Sequence, residues 1–228
     1  MGLLLKRAHL FILLDMIEVK KYDLPDINIF YDESVRNGHT LWVPDDYYIV
    51  LGNSNKPFEN LIEQSIFADN VWVYKRPSGG ETVILSPNTL VLAIKSTLDK
   101  FSNPNRHFRY FNQKIIQGLE SLEIKGLSTR GISDIALEKK KILGSSIYRK
   151  RNVLFYHAVL NVSEPVETIE RYIKHPTKEP DYRKGRSHKE FVTSLHDEGY
   201  VFTMHQIQDA LNTSLSSIDE SEVLELSS

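Results

Sequence analysis

No cysteine occurs among the 228 residues of this chain. Its absence excludes disulfides, thiolate metal sites and a cysteine nucleophile. An excess of charge of either sign is missing too: 28 Lys and Arg face 30 Asp and Glu, a formal net charge of -2. Nothing global draws such a chain to nucleic acid or an anionic membrane, so any basic function is local. Long apolar runs are lacking as well. Leu3-Leu4-Leu5 and Leu10 to Leu14 are divided by Lys6, Arg7 and His9, which is too short and too interrupted to span a bilayer. No small-residue cleavage site follows, so a secretory signal is not expected. Met16-Ile17-Glu18-Val19 opens directly into strand-like sequence. Residues 1–15 are therefore expected to be a non-native or disordered extension. There is no internal repeat, and His188 and His196 lack a recognised ligand spacing, so no zinc site is expected.

With 41% apolar and 25% charged residues the chain reads as globular, with one substantial core. From Met16 onward strands and helices alternate. Strands are expected at 17–19, 40–43, 47–52, 71–74, 82–85, 89–94, 135–137, 141–144 and 153–162, from their β-branched and apolar residues. Helices are expected at 26–36, 58–68, 108–122, where Phe111, Ile115, Leu119 and Leu122 share a face, and 165–173. Thr203 followed by Gln206 offers a capping box for a last helix to about Leu215. The Ser- and Glu-rich tail 216–228 is expected to fray. The fold class is α+β, a mixed β-sheet flanked by helices, built on one larger sheet. Between 175 and 189 lies a polar stretch with Arg183, Lys184, Arg186 and His188. It reads as a solvated basic loop or as one that closes over phosphates.

Two runs carry chemistry. The apolar segment Val71-Trp72-Val73-Tyr74 leads into Lys75-Arg76-Pro77-Ser78-Gly79-Gly80. Adjacent glycines let a ligand approach backbone N–H groups, and Arg76 offers a forked set of donors to a carboxylate or phosphate. The same run also fits a glycine hairpin beside a surface arginine. The second run is Lys141-Ile142-Leu143-Gly144-Ser145-Ser146. A lysine there can neutralise charge that develops as a carboxylate attacks a phosphate. Since Lys141 closes Glu138-Lys139-Lys140-Lys141, a solvated charged face is the competing reading.

In these runs the chain resembles the lipoate-protein ligases, within the wider biotin and lipoate ligase and transferase group. The family's two basic residues, any residue, then Ser-Gly-Gly-Gly stand here as Lys75-Arg76-Pro77-Ser78-Gly79-Gly80-Glu81. Its Lys, apolar residue, Ser-Gly, basic loop and His-Gly-Thr-Leu stand as Lys141-Ile142-Leu143-Gly144, Tyr148-Arg149-Lys150-Arg151 and His157-Ala158-Val159-Leu160. Fainter echoes are Asn28 to Glu33, Ser133-Asp134, and Arg186-Ser187 with Phe191 to Leu195. The departures are Glu81 for the third glycine, Ala158-Val159 for Gly-Thr, Leu143 for Ser and Ser133 for Asn. A biotin ligase is disfavoured, because its Gly-Arg-Gly-rich loop is absent.

The resemblance implies a catalytic domain over residues 16–215 with the biotin/lipoate protein ligase fold, without the additional carboxy-terminal domain many relatives carry. It implies ATP-dependent activation of lipoate or octanoate to an acyl-adenylate, then transfer to a lysine of a lipoyl-domain protein. ATP, lipoate and magnesium are the expected small molecules. A lipoyl-domain acceptor and a separate accessory-domain chain are the expected partners, with no nucleic acid and no membrane, and the location expected is cytoplasmic. Lys141 and Asp134 are the implied catalytic residues. Arg76, Ser78, Gly79, Gly80, Gly144, Ser145, Arg149, Arg151 and His157 are the implied substrate-binding ones, with Arg149 and Arg151 in a loop covering the adenylate. Octanoyltransferases of the same superfamily work through a cysteine thioester, which this chain cannot form. Alternatives are a cysteine-independent acyltransferase using preformed acyl-adenylate or acyl-protein, and a noncatalytic relative.

Overall fold

The computed structural model describes residues 17–98 and 103–226. The expected extension, residues 1–15, lies outside them. In chain order the first half contains β1 (Val19–Lys21), a 3-10 turn (Pro25–Ile27), α1 (Asn28–Tyr31), β2 (Gly38–Trp42), β3 (Tyr48–Leu51), α2 (Pro57–Asn60), α3 (Glu63–Asp69), β4 (Trp72–Lys75), β5 (Val83–Leu85) and β6 (Thr89–Thr97). The second half contains α4 (Pro104–Glu120), β7 (Leu127–Arg130), β8 (Asp134–Leu137), β9 (Lys140–Lys150), β10 (Val153–Asn161), α5 (Val166–Tyr172), α6 (His188–Phe191), α7 (Met204–Ser216) and α8 (Glu220–Glu225).

Two sheets form, a larger one of six strands and a smaller one of four. Strand β6 is apolar on both faces, so it must be covered on both. Leu90, Leu92 and Ile94 join Leu154, Tyr156, Ala158 and Leu160 of β10 in the core beneath α4 and α7. Val91, Ala93 and Phe155, on the opposite face, meet Val50 and Leu85 of the smaller sheet. The larger sheet has the order β2-β6-β10-β9-β8-β7 and is antiparallel throughout. The smaller, β1-β4-β3-β5, is mixed. Its outer residues Ile49, Leu51, Val73 and Ile84 pack with Leu61, Ile66, Tyr172 and Ile173. The result is four layers, helix, sheet, sheet and helix, with the cleft between the sheets.

Several expectations shift. The helix expected over 26–36 ends at Tyr31, because Asp32 turns extended and its side chain accepts from the backbone N–H and hydroxyl of Ser34. The helix expected over 58–68 is split: Leu61 leaves it to bridge Ile173, and Ile62 N–H donates to Tyr172 O at 2.9 Å. The tail expected to fray from 216 folds over 220–225 as α8. Asp219 caps it and Val223 enters the main core. The capping box of Thr203 and Gln206 forms as expected at the start of α7.

Helices α4 and α7 cross at Gly118. A Cβ there would stand 3.1 Å from Ala210 O, 3.1 Å from Leu211 Cδ2 and 3.2 Å from Ser214 Cβ. Gly118→Leu should overpack this crossing and cost ~1–3 kcal/mol, read as a lowered urea midpoint with an unchanged m-value.

Candidate functional site

Strand β4 delivers Arg76 into the space between the sheets, and the backbone continues to pair: Arg76 N–H donates to Leu51 O at 3.0 Å. Only 5% of Arg76 is exposed. Its guanidinium donates to Val50 O at 3.1 Å, to Gly79 O and Glu81 O at 2.8 Å each, and to Ser78 Oγ at 3.1 Å. Burial brings its pKa down to about 10. The arginine expected to fork a ligand therefore clamps its own loop. Gly80 sits at φ +89, a conformation open to glycine. A Cβ on Gly79 would meet nothing within 4 Å, so the protein's own packing does not require a glycine there. Glu81 is half-buried, and burial raises its carboxyl against the opposing pull of Arg76.

Strand β9 brings the lysine. In a regular strand Lys141 and Gly144, three apart, would face opposite ways. The register against β8 slips between Ile135 and Ala136, leaving Ile142 as the extra residue of a bulge. Ile142 and Leu143, though adjacent, both enter the main core. Lys141 and Gly144 consequently share the cleft face. Lys141 Nζ reaches Asp134 Oδ1 at 2.8 Å by passing over Gly144, whose Cβ would lie 2.7 Å from that nitrogen. The other Asp134 oxygen accepts from Tyr182 OH at 2.8 Å. Burial, then Asp134, pushes the Tyr182 phenol well up.

A chain of buried polar groups closes the floor. His157 lies on β10 directly opposite Ser146 of β9, on the same face as Phe155 and Val159. Its Nε2 is 2.6 Å from Ser78 Oγ, and its Nδ1 is 3.4 Å from Asp26 Oδ2. Tyr22 OH donates to Asp26 Oδ1 at 2.7 Å, and Ser146 Oγ lies 2.9 Å from Ser78 Oγ. These are the members of a Ser-His-Asp triad, but the hydroxyl is sealed. Ser78 is 2% exposed and has His157, Ser146 and Arg76 as partners, which uses its donor and both lone pairs. Burial holds the His157 pKa below the usual range despite Asp26.

The cleft is a cavity of about 560 Å³. Val50, Val83, Leu85, Val91 and Val159 make its apolar wall, and Arg76, Asp134, Lys141, Ser146 and His157 line its polar end. A second cavity of about 150 Å³ meets it at Glu81, Lys141 and Gly144, and carries Lys174, Lys178, Arg183 and His188. Two buried side-chain atoms on its lining residues, Arg183 Nη2 and Glu164 Oε1, lack a hydrogen-bond partner. Among the described residues no group of three or more His, Asp or Glu could hold a metal ion.

Of the residues singled out from sequence, Arg76, Gly80, Asp134, Lys141, Gly144, Ser145 and His157 line the first cavity. Ser78 and Gly79 act behind it as partners of Arg76, and Ser145 Oγ is turned to Ser133 O at 2.6 Å. Arg149 and Arg151 line neither cavity among the described residues. Ile147 and Tyr148 extend β9 against Tyr156 and Phe155, so Arg149 lies five residues beyond Gly144, roughly 17 Å along the strand. Arg151 turns the hairpin at φ +55, and its carbonyl accepts from Arg149 Nε at 2.9 Å. Reading the sequence missed Tyr22, Asp26, Ser146 and Tyr182. The adjacency of Ser146 to Ser145 was a usable signal, whereas Tyr22, Asp26 and Tyr182 arrive from distant segments. Arg186 is structural, donating to the carbonyls of Tyr182, Lys139 and Glu190.

The family model described as the lipoyl protein ligase A/B catalytic domain matches residues 31–216. Lipoate--protein ligase 1 of Staphylococcus aureus is 28% identical over 126 residues, 55% of this chain and 38% of that protein. The match thus spans well under half of that relative's length. A solved structure from an archaeal lipoylation system, a bi-partite lipoate protein ligase and its E2 lipoyl domain from Thermoplasma acidophilum, has a TM-score of 0.71 at 16% identity. It covers 92% of this chain and 91% of that one. A lipoate-protein ligase A bound with ATP has a TM-score of 0.69 at 16% identity, over 92% of this chain and 90% of its own. At these identities the likeness shows the shared fold.

Two outcomes follow from the geometry. Gly144→Ala should fold normally, since only the flexible end of Lys141 must move, yet it should displace the ammonium from Asp134. Unfolding curves matching the parent, with a changed position of Lys141 in a crystal structure, would bear this out. His157 is buried with a depressed pKa, so the unfolded chain binds more protons below about pH 6.5. Stability should then fall as pH drops through that value, and His157→Gln should flatten the dependence of the urea midpoint on pH.

Proposed function

Because this chain belongs to the lipoyl protein ligase A/B catalytic-domain family, we propose that it is an ATP-dependent lipoate-protein ligase. The observation that carries this reading is the Lys141–Asp134 pair at the junction of an apolar cavity and a cation-lined one. The first cavity takes the medium-length acyl chain of lipoate or octanoate along its valine and leucine wall, with the carboxylate toward Lys141. The second takes the nucleotide, whose phosphates suit Lys174, Lys178 and Arg183. Magnesium would accompany the triphosphate and neutralise charge on its phosphates.

In the first step a carboxylate oxygen bonds to the α-phosphorus and the bond to the pyrophosphate breaks, giving acyl-adenylate. A lysine amine of a lipoyl-domain protein then attacks the acyl carbon, AMP leaves, and the amine loses a proton as the amide forms. Neither step needs a protein nucleophile. The chain contributes positioning and charge neutralisation. Asp134 holds the ammonium of Lys141 until substrate oxygens compete for it, and Tyr182 steadies Asp134. The reaction is read as cytoplasmic. A separate accessory chain is part of the proposal, supported by the bi-partite ligase from Thermoplasma acidophilum.

Glu81 favours a second reading. Its carboxylate lines both cavities where anionic phosphates would pass, which suits a transferase that accepts acyl-adenylate already formed. Intact-mass analysis of a lipoyl-domain acceptor with lipoate, ATP and magnesium, beside a reaction given lipoyl-adenylate, separates the two. Mass gain with ATP supports the ligase; gain only with adenylate supports the transferase, and gain in neither, with a separate accessory chain also supplied, removes both. Lys141→Ala should cut transfer by at least ~100-fold with the fold intact, as expected for a lost charge-stabilising group. Parental activity in that variant would remove the proposed role of Lys141.

A further inference from the structure

The proton directions in the buried chain beneath the acyl cavity are not free. Asp26 accepts from Tyr22 at one oxygen and faces His157 Nδ1 with the other, so the imidazole carries its hydrogen on Nδ1. A neutral His157 then presents a lone pair at Nε2. Ser78, 2.6 Å away, must donate to it. Arg76 Nε donates to Ser78 Oγ in every state, since a guanidinium has no lone pair to offer. The remaining partner, Ser146, must then donate to Ser78 across 2.9 Å. Ser146 lines the acyl cavity and has only lone pairs left to show it. Protonation of His157 reverses the chain. Nε2–H donates to Ser78, Ser78 donates to Ser146, and the hydrogen of Ser146 turns into the cavity. Every hydrogen bond of the relay is kept in both arrangements, which differ only in direction and in what Ser146 presents to the cavity.

We infer that Ser146 is a substrate-contacting residue, and that Ser78 and His157 are positioning residues that switch its hydroxyl from acceptor to donor when a carboxylate enters. The inference rests on the acyl-site reading above. A carboxylate offers only lone pairs, so it repels Ser146 in the neutral relay and accepts from it in the protonated one. Its binding therefore takes up a proton onto His157. An amide of the same acyl chain carries its own N–H donors and fits the neutral relay, without uptake. The charged and titratable groups facing His157 are Tyr22 and Asp26 from the segment before α1 and Arg76 from the loop after β4. Strands β6 and β9 place the neutral Ala93 and Ser146 beside it. Burial and Arg76 oppose the imidazolium, so the empty cavity rests in the neutral state.

Calorimetric titration of the full chain with lipoate and with lipoamide, in buffers of different ionisation enthalpy, tests this. Lipoate should bind with uptake approaching one proton, and its affinity should fall by up to about tenfold per pH unit as pH rises. Lipoamide should bind without uptake and without that slope. His157→Gln should abolish the uptake while lipoate still binds, and Ser146→Ala should weaken lipoate about tenfold with little effect on lipoamide, as for a lost hydrogen bond to a charged group. Equal uptake for both ligands, no uptake for lipoate, uptake that survives in His157→Gln, or parental lipoate affinity in Ser146→Ala each overturns the relay. Failure of the parent to bind either ligand overturns the acyl-site reading itself, and the relay's role with it.

Discussion

The guanidinium of Arg76 is the joint on which the cleft depends. It spans from Val50 O on the smaller sheet to the carbonyls of Gly79 and Glu81, and through Ser78 it reaches His157 and Ser146 of the larger sheet. Farther along, the apolar faces of the two sheets pack together in the core that holds Ala93 and Phe155. A buried cation with unmet donors would cost several kcal/mol, so the carbonyls that satisfy it are held in place as firmly as it is. The cavity thus has a polar end, where these groups bind one another across the gap, and an apolar wall of Val50, Val83, Leu85, Val91 and Val159.

Strands with two apolar faces, such as β6 and β10, were legible from sequence because a short run of β-branched and aliphatic residues says strand whatever lies beyond. The capping box at Thr203 was equally plain, since its partners are three residues apart. Errors came where a distant segment outcompeted the local pattern. Leu61 leaves its helix to pair with Ile173, and the basic run Tyr148 to Arg151 is drawn into a hairpin by Phe155 and Tyr156. In the site, Lys141 and Gly144 could be named from their motif, but not the bulge at Ile142 that makes them neighbours. Asp26 and Tyr182, remote from every motif, carry no local signal of their partnership with His157 and Asp134.

The departures from the family pattern acquire a physical setting. Glu81 does not point into an otherwise uncharged pocket. Its main-chain oxygen is taken by Arg76, and its carboxyl lies in the field of Arg76, Lys141 and Lys178. Ala158 is packed into the main core under the helices, away from the inter-sheet face where His157 and Val159 lie. A small residue there answers to core packing as well as to any ligand.

Charge in the empty cleft is nearly self-cancelling: Lys141 is matched by Asp134, and Arg76 faces Glu81 and Asp26. Two anionic substrates entering such a site need positive charge that is not already committed. Lys141 can supply it only by leaving Asp134, and that leaves a carboxylate with Tyr182 as its remaining donor. Arg183 is committed as well, its Nε 3.5 Å from Glu179 Oε2, though its buried Nη2 has no hydrogen-bond partner. Charge neutralisation in this fold therefore has two sources, both already paired. Each exchanges one carboxylate for another, Arg183 with a spare donor at Nη2, and so contributes most when the incoming group carries more negative charge than the carboxylate it leaves. In the proposed adenylation, a phosphorus flanked by carboxylate and pyrophosphate oxygens is such a group, whereas a resting carboxylate is not. On that reading the ion pair over Gly144 biases Lys141 toward the transition state rather than the bound acid, which is the condition for a cation to accelerate a reaction instead of only tightening its substrate.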